Sequence, residues 1–222
     1  MRLKIDLHVH TVNSPDAFTS LKAAAHAALA RGLDGLAITD HECRTDLETL
    51  KLLAESILVL PGVEVNTGRH HILGIGVQSW QRKRYDTPGE AVERIHEVGG
   101  LAIVAHPCNP PFRFRSWREL REAHLDALEA VNSGVQLYSL GTRLASRAAL
   151  ALGLPRVGGS DSHIPATVGD AYTIVETELR EPNNILDAIR QGRTEACGQP
   201  TTLKHRLEKL MLQLRRTKQG EK

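Results

Sequence analysis

Short apolar runs alternate along the chain with segments that have the periodicity of helices. Strands are predicted over residues 3–8, 35–39, 57–65, 72–77, 101–105, 127–131, 156–159 and 172–175. Helices are predicted over residues 21–30, 47–55, 88–98, 116–124, 142–152 and 185–191. Strands and helices that alternate over short loops predict an α/β domain with a mainly parallel sheet. About seven strands are available to close a barrel, as expected for a closed α/β fold.

The last part of the chain departs from this alternation. Its apolar residues recur at helical spacing among Lys and Arg residues, namely Leu203, Leu207, Leu210, Met211 and Leu214. We therefore expect one domain over residues 1–200 and a basic amphipathic C-terminal helix over residues 201–222. This helix either packs on the barrel with its basic residues in solvent, or serves dimerisation or an acidic partner. The sequence leaves the oligomeric state open.

Composition narrows the class of protein. The 222 residues include 28 Lys and Arg against 26 Asp and Glu, a net charge of +2. This balance gives no general attraction to nucleic acid or membranes, so neither a long duplex nor a membrane is an expected partner. Three widely spaced cysteines favour a reducing compartment. The chain opens in a strand and contains no long apolar run, so we expect a cytoplasmic protein without a signal peptide.

Histidines and carboxylates follow directly after several of the apolar runs. They occur in five short segments, at residues 6–10, 39–41, 62–64, 105–107 and 159–163. Side chains two residues apart on a strand point to the same face, so His8 and His10 can hold one cation. Asp161 and His163 repeat that spacing. Several strand ends that gather imidazoles and carboxylates predict a metal centre at the mouth of the barrel.

These segments resemble the motifs of the PHP family, the polymerase and histidinol phosphatase superfamily. The segments are Asp6-Leu7-His8-Val9-His10-Thr11, Ser14-Pro15-Asp16, Thr39-Asp40-His41, Gly62-Val63-Glu64, His71-Ile72-Leu73-Gly74, Ala105-His106-Pro107 and Gly159-Ser160-Asp161-Ser162-His163. The likeness covers the chain from Asp6 to about Gly198. It implies a distorted (β/α)7 TIM-like barrel of the PHP type with a trinuclear metal site.

The resemblance also implies which residues bind each metal. The first metal would be held by His8, His10, Glu64 and Asp161, the second by Asp16, His41 and His163, and the third by Glu64, His71 and His106. His71 is preferred over His70 because it directly precedes Ile-Leu-Gly, as the family's ligand does, and His70 is then expected at the surface. Mixed imidazole and carboxylate ligands suit up to three divalent ions of Mn, Fe or Zn.

A site of this kind predicts phosphoester hydrolysis, because clustered dications activate water and neutralise phosphate charge. Glu64 and Asp161 are the expected catalytic carboxylates. Asp40 is expected to orient a ligand imidazole through its second nitrogen. Arg113 and Arg115, which follow the strand that ends at His106, and Arg44 are candidates for binding the substrate phosphate, with Arg143 as a further candidate.

The substrate remains open at this stage. We expect a small phosphorylated molecule, such as a nucleotide or another phosphomonoester or diester, or a short oligonucleotide. Histidinol-phosphate hydrolysis and exonuclease action on oligonucleotide ends are the alternatives within enzymes. A metal-binding regulatory module without turnover is the alternative outside them, and the complete set of ligand residues argues against it.

Overall fold

The computed structural model describes residues 1–54, 56–108 and 117–220. For residues 52–54 and 218–220 it describes the backbone only. The strands are β1 (Arg2–Val9), β2 (Gly35–Ile38), β3 (Leu58–Asn66), β4 (His71–Ile75), β5 (Leu101–Ala105), β6 (Ala127–Asn132), β7 (Arg156–Gly159), β8 (Ala171–Glu176) and β9 (Thr194–Gly198). The α-helices are α1 (Leu21–Ala30), α2 (Leu47–Ala54), α3 (Pro88–Glu97), α4 (Trp117–Glu122), α5 (Tyr138–Leu152), α6 (Pro182–Arg190) and α7 (Leu203–Gly220). The predicted alternation of strands and helices is confirmed.

The strands form one sheet in the order β7-β6-β5-β4-β3-β2-β1-β8-β9. Strands β1, β2 and β3 are parallel, as are β5, β6 and β7. Strand β4 runs antiparallel to both β3 and β5. The amide of Asp161 donates to the His8 carbonyl over 2.8 Å and that of His10 to the Ser162 carbonyl over 2.9 Å. These bonds join the end of β7 to β1, which confirms a distorted barrel of seven strands.

Strands β8 and β9 extend the sheet beyond the ring. Strand β8 pairs antiparallel with β1, and β9 pairs antiparallel with β8. The sequence did not predict β9, whose residues Thr-Glu-Ala-Cys-Gly lack the apolar character of the other strands. Its half-exposed position at the sheet edge explains why the apolar signal is weak.

Apolar side chains fill both the barrel and the layer beneath its helices. Inside the barrel, Ile5, Leu60 and Ile103 pack in one buried cluster with Ile185 and Ile189 of α6. Other clusters join α1 to β2, and α3 and α5 to the strands β3 to β6. The burial of these side chains removes apolar surface from water and fixes the strands whose ends carry the polar residues.

Helix α7 lies against the barrel through its polar side. Arg206 donates to the carbonyls of Thr201 and Val135, over 3.2 and 3.0 Å. Arg216 donates to the carbonyl of Ala17 over 2.8 Å and stacks on Phe18, with its guanidinium carbon 4.0 Å from the ring centroid. Each guanidinium thereby satisfies backbone acceptors that would otherwise need water.

Most of the apolar residues of α7 are exposed to solvent. Five of them are between 49% and 72% exposed, namely Leu203, Leu207, Leu210, Met211 and Leu214. The helix therefore packs on the barrel through Arg206 and Arg216 and not through these apolar residues, and its predicted role in dimerisation or in binding an acidic partner stays untested. None of the described helices is both long and apolar enough to cross a membrane.

Candidate metal centre

The strand ends bring the nine predicted ligands together around Glu64. Glu64 lies in β3, and its side chain is 1% exposed. Its Oε1 atom lies 2.7 Å from Nδ1 of His71 and 3.2 Å from Nε2 of His106, the residue directly after β5. The same oxygen is 3.7 Å from Nε2 of His8 in β1. One carboxylate oxygen therefore meets imidazoles from three strands.

The second oxygen of Glu64 faces the other side of the site. Oε2 lies 2.8 Å from Nδ1 of His41 and 3.3 Å from Nε2 of His10. This buried oxygen therefore faces the ring nitrogens of both imidazoles. Glu64 thus contacts five imidazoles through two oxygens and is the centre of the cluster.

Two further carboxylates close the cluster. Oδ1 of Asp161 lies 3.5 Å from Nε2 of His10 and 3.6 Å from Nε2 of His8. Oδ2 of Asp16 lies 2.9 Å from Nε2 of His163, and its Oδ1 lies 3.5 Å from Nε2 of His41. All nine predicted residues therefore lie in one connected group at the mouth of the barrel.

Among the described residues, three sets of ligand atoms lie close enough to hold an ion, each with all atoms within 4.8 Å of one another. One set is His8, His10 and Asp161, which are three of the four residues implied for the first metal. A second set is His10, His41 and His163, and a third is His8, Glu64 and His106. Both differ from the sets that the resemblance implies, because each contains a histidine that the resemblance assigns to the first metal. Which ligands share a metal therefore stays a prediction.

Glu129, which the sequence analysis missed, supports this cluster from β6. Its Oε1 lies 3.0 Å from Nδ1 of His8, and its Oε2 accepts hydrogen bonds from the His106 amide over 2.7 Å and from Asn132 over 2.9 Å. A carboxylate only accepts, so Nδ1 of His8 donates to Glu129 and Nε2 points to the cluster, where a bound cation would replace the second proton of the ring. A charged residue within the apolar strand Ala-Leu-Glu-Ala-Val-Asn was the signal available in the sequence.

Gly159 leaves the space for this pair. A Cβ atom at Gly159 would lie 2.5 Å from Cβ of His8 and 2.7 Å from Oε1 of Glu129. Both distances are shorter than van der Waals contact permits, so glycine allows β7 to approach the two side chains.

Asp40 supports His10 through Ser14 rather than directly. The Ser14 hydroxyl donates to Oδ1 of Asp40 over 2.7 Å and lies 3.1 Å from Nδ1 of His10. The other oxygen of Asp40 accepts from the Thr11 hydroxyl over 2.7 Å. Asp40 therefore reaches an imidazole through a serine hydroxyl and not by a direct contact, and its predicted role in orienting a ligand stays a prediction. With Nδ1 of His10 at Ser14, Nε2 of the same ring faces the cluster.

Two members of the cluster have backbone conformations that L-residues rarely adopt. His106 has φ of 30° and Asp161 has φ of 55°. Such conformations cost on the order of 1–3 kcal/mol and persist where surrounding contacts enforce them. Here the Asp161 amide bonds the His8 carbonyl and the His106 amide bonds Glu129, so both strained residues are held in place.

Burial and charge shift the pKa values across the cluster. Burial raises the pKa of Glu64, but charged His8 and hydrogen bonds from His106, His41 and His71 outweigh it and hold the pKa well below its ordinary value. Burial lowers the pKa of His41, whereas hydrogen bonds to Asp16 and Glu64 raise it to about 10. The ionised carboxylates therefore require positive charge, which protons supply here and which metal ions would supply when bound.

The donor set fits divalent cations. Nε2 of His8 and Nε2 of His10 lie only 3.0 Å apart, although the Nδ1 atom of each ring faces its own acceptor, Glu129 or Ser14. Two unprotonated ring nitrogens this close repel each other unless a proton or a cation lies between them. Buried imidazoles and carboxylates with oriented outer nitrogens are the common ligands of Zn, Mn and Fe.

Of the predicted phosphate-binding arginines, the structure describes Arg44 and Arg143. Arg113 and Arg115 lie outside the described residues. Arg44 donates from Nη1 to the Thr45 carbonyl over 2.9 Å, and it makes no ion pair with a described carboxylate of the cluster. Arg143 is exposed on α5.

His70 was wrongly predicted as a surface residue. It is only 2% exposed, whereas the neighbouring His71 reaches Glu64. The carbonyl of His70 accepts from the amide and the hydroxyl of Thr67, over 2.9 and 2.8 Å. This turn before β4 folds His70 inward, on the side of the strand opposite the cluster.

Comparison with known families matches this fold and site. A family model described as PHP domain matches residues 6–140, and a model described as PHP-associated matches residues 142–194. The first match covers more than half of the chain, so the chain belongs to the PHP family. Together with its metal-ligand cluster, this makes it a metal-dependent phosphoesterase, a hydrolase that acts on phosphoesters.

Relatives by sequence include two microbial proteins. The chain is 33% identical to "Uncharacterized protein MJ1587" of Methanocaldococcus jannaschii over 143 residues, which are 59% of this chain and 82% of that protein. It is 25% identical to a "Probable phosphatase" of Shewanella loihica over 209 residues, which are 79% of this chain and 84% of that protein.

Two solved structures share the fold. A Bacteroides vulgatus two-domain protein with a predicted PHP-like metal-dependent phosphoesterase superposes with a TM-score of 0.74 at 21% identity, over 90% of this chain and 65% of that one. Endonuclease Q, solved with a 27-mer duplex bearing an abasic lesion, superposes with a TM-score of 0.66 at 19% identity, over 90% of this chain and 60% of that one.

Proposed function

We propose that this phosphoesterase hydrolyses a small phosphorylated molecule, a phosphomonoester or phosphodiester such as a nucleotide, with up to three divalent metal ions. The observation that carries the proposal is the convergence of five imidazoles on the two oxygens of the buried Glu64. A carboxylate so placed can be shared by neighbouring cations, which is the arrangement that phosphoester hydrolysis by several metals requires.

The nine residues of the cluster would hold these metals. Glu64 is the proposed shared ligand, and the implied sets are His8, His10 and Asp161; Asp16, His41 and His163; and His71 and His106. When bound, the metals lower the pKa of coordinated water, hold phosphate oxygens and neutralise negative charge. Mn, Fe and Zn all suit this mixture of nitrogen and oxygen donors.

The protein's own groups hold the ligands in position for this chemistry. Glu129 fixes the tautomer and the ring orientation of His8, and the Ser14 and Asp40 pair does the same for His10. The carbonyl of Asp161 lies 2.9 Å from Nδ1 of His163 and so fixes a third ring. Oriented Nε2 atoms need little rearrangement as charge develops on the phosphate.

Substrate size is proposed from charge. Lys and Arg exceed Asp and Glu by only two residues, since 28 minus 26 is 2, whereas a long nucleic acid requires a row of cations along its backbone. The likeness to endonuclease Q concerns the fold, so it does not assign a duplex to this chain. We therefore favour a terminal phosphate or a mononucleotide, with Arg113, Arg115 and Arg44 as the proposed phosphate-binding residues.

The test is a substrate panel with metal-free protein reloaded with Mn, Fe or Zn. Phosphomonoesters, phosphodiesters, short oligonucleotides, histidinol phosphate and a long duplex are compared by kcat/KM. We expect turnover of a small phosphoester that chelation removes and metal restores. Substitution of Arg113 or Arg115 by Ala should lower kcat/KM about tenfold through loss of a charge-assisted phosphate contact. Preference for the long duplex, or turnover that survives chelation, would contradict the proposal.

A further inference from the structure

Helix α7 forms one wall of a cavity that opens beside the metal-ligand cluster. The cavity has a volume of about 310 Å³, and its opposite wall includes Asp161 and His163. This volume is at the lower end of the range for small-ligand sites. Helix α7 contributes to the lining His205, Arg206, Lys209, Leu210 and Gln213, of which Arg206 is already bonded to backbone carbonyls. The C-terminal helix thus borders the space next to two predicted metal ligands.

The helix is fixed on both sides of this cavity. Arg206 bonds the carbonyls of Thr201 and Val135, and Arg216 bonds the carbonyl of Ala17. Lys209 lies between the two arginines, one turn after Arg206. Because the two arginines attach α7 to the barrel, they also fix the position of Lys209 at the cavity.

Lys209 brings a positive charge that the protein does not neutralise. Its side chain is half-buried, and within the described residues it makes neither a hydrogen bond nor an ion pair. Nδ1 of His205, which lines the same cavity, is buried and has no hydrogen-bond partner among those residues. A half-buried ammonium without a partner is a binding group for an anion.

We propose that this cavity binds a second anionic group of the substrate, with Lys209 supplying the charge. The inference rests on the proposed function and narrows its substrate class to small phosphoesters that carry a further carboxylate or phosphate. The scissile phosphate lies at the cluster, and the second group lies toward α7. Gln213 and His205 offer additional polar contacts from the same helix.

Binding of two phosphonates to the Mn-loaded full chain tests this inference by calorimetry. Phenylphosphonate and carboxyphenylphosphonate differ by one carboxylate, and neither can be hydrolysed. We expect the wild-type protein to bind the carboxylated probe at least tenfold more tightly. Lys209→Met should abolish this preference while leaving the affinity for phenylphosphonate within twofold, and Lys209→Arg should retain most of the preference.

Lys204→Met is the matched control, because Lys204 is exposed on the same helix and does not line the cavity. It should leave both affinities unchanged. Equal affinity of the wild-type protein for the two probes, or a preference that survives in Lys209→Met, would overturn the inference. Failure of the proposed function is a separate result, since it would appear as absent turnover of phosphoesters with the phosphonate preference intact.

Discussion

The metal-ligand cluster has an inner half and an outer half that differ in exposure and support. The inner half consists of His8, His10, Glu64, His106 and His163, which are at most 7% exposed. The outer half consists of Asp16, His41, His71 and Asp161, whose side chains are 38%, 29%, 18% and 21% exposed.

The two halves also differ in what holds them. In the inner half, Glu129 and Ser14 bind the outer nitrogens of His8 and His10, and neither belongs to the predicted ligand set. In the outer half, Asp16 contacts His163 and His41, which are themselves in the cluster. We infer that His8 and His10 are oriented before metal binds, whereas Asp16 and His41 depend more on the cations.

Glu64→Gln should have the largest effect, because Glu64 joins the two halves. Loss of its charge leaves five imidazoles around a neutral amide, so metal affinity and turnover should fall more than about a hundredfold. This loss is larger than the 10- to 100-fold typical of residues that only orient a metal ligand. Metal content after dialysis and kcat/KM measure the effect. Glu122→Gln is the control, since Glu122 is exposed and pairs with Arg118. Turnover close to wild type would show that the chemistry lies elsewhere.

Glu129→Gln tests the support of the inner half. Glutamine keeps one acceptor but replaces the other with a donor, so it cannot serve both Nδ1 of His8 and the His106 amide. We expect metal affinity or activity to fall about 10- to 100-fold, as for other groups that orient metal ligands. Metal titration of the variant, with Glu122→Gln alongside, measures this loss. An unchanged affinity would mean that His8 needs no orienting carboxylate.

Gly159→Ala tests how tightly the inner half is packed. The new methyl group would overlap His8 and Glu129, so we expect a loss of about 1–3 kcal/mol in the free energy of unfolding of the metal-free protein. Gly89→Ala is the matched control, because the nearest atom to its added Cβ is the Thr87 hydroxyl at 4.0 Å. Denaturant unfolding of both variants gives the comparison. Equal stability of the two would contradict the packing argument.

Asp16→Asn tests the outer half. Burial raises the pKa of Asp16, but hydrogen bonds with His163 and His41 hold it below its ordinary value, so the residue is ionised at neutral pH. We expect kcat/KM to fall about tenfold, which is the loss expected when one charge-assisted contact is removed. The free energy of unfolding should change by less than about 1 kcal/mol, because the side chain is 38% exposed and water can replace part of its contacts. A stability loss as large as that of Gly159→Ala would erase the distinction between the halves.

The sequence predicted the cluster better than its support. Ligands such as His8 and Glu64 follow or interrupt apolar runs at strand ends, and a resemblance to known motifs named them individually. Glu129 escaped notice because it lies inside an apolar strand, where only its contact with His8 shows its role. The link from Asp40 through Ser14 to His10 also depends on side-chain positions that spacing does not define.

The same limit applies to the fold. Apolar periodicity predicted where β4 lies but not that it runs antiparallel, since periodicity carries no information on strand direction. It predicted helix α7 but not its orientation, which depends on the carbonyls that Arg206 and Arg216 reach. Long-range hydrogen bonds decided both features.

The smallest expected effect is a change in the number of protons released when metal binds. It compares His41 of the outer half with His10 of the inner half. The pKa of His41 is raised to about 10, because its hydrogen bonds to Asp16 and Glu64 outweigh burial, so His41 is protonated at pH 7 in the metal-free protein. Burial, together with the charges of His163 and His8, lowers the pKa of His10 to about 4 despite its contact with Asp161, so His10 is neutral. Metal binding to His41 must therefore displace a proton, whereas binding to His10 does not.

Metal affinity should accordingly rise with pH between 6 and 9, because protons compete with the cation for His41 over that whole range. Calorimetry at pH 7 in buffers of different ionisation enthalpy measures the protons released. His41→Gln should release on the order of one proton fewer than the wild-type protein, and His10→Gln should leave the number nearly unchanged. Equal proton release from the two variants would show that His41 and His10 do not differ in protonation before the metal binds.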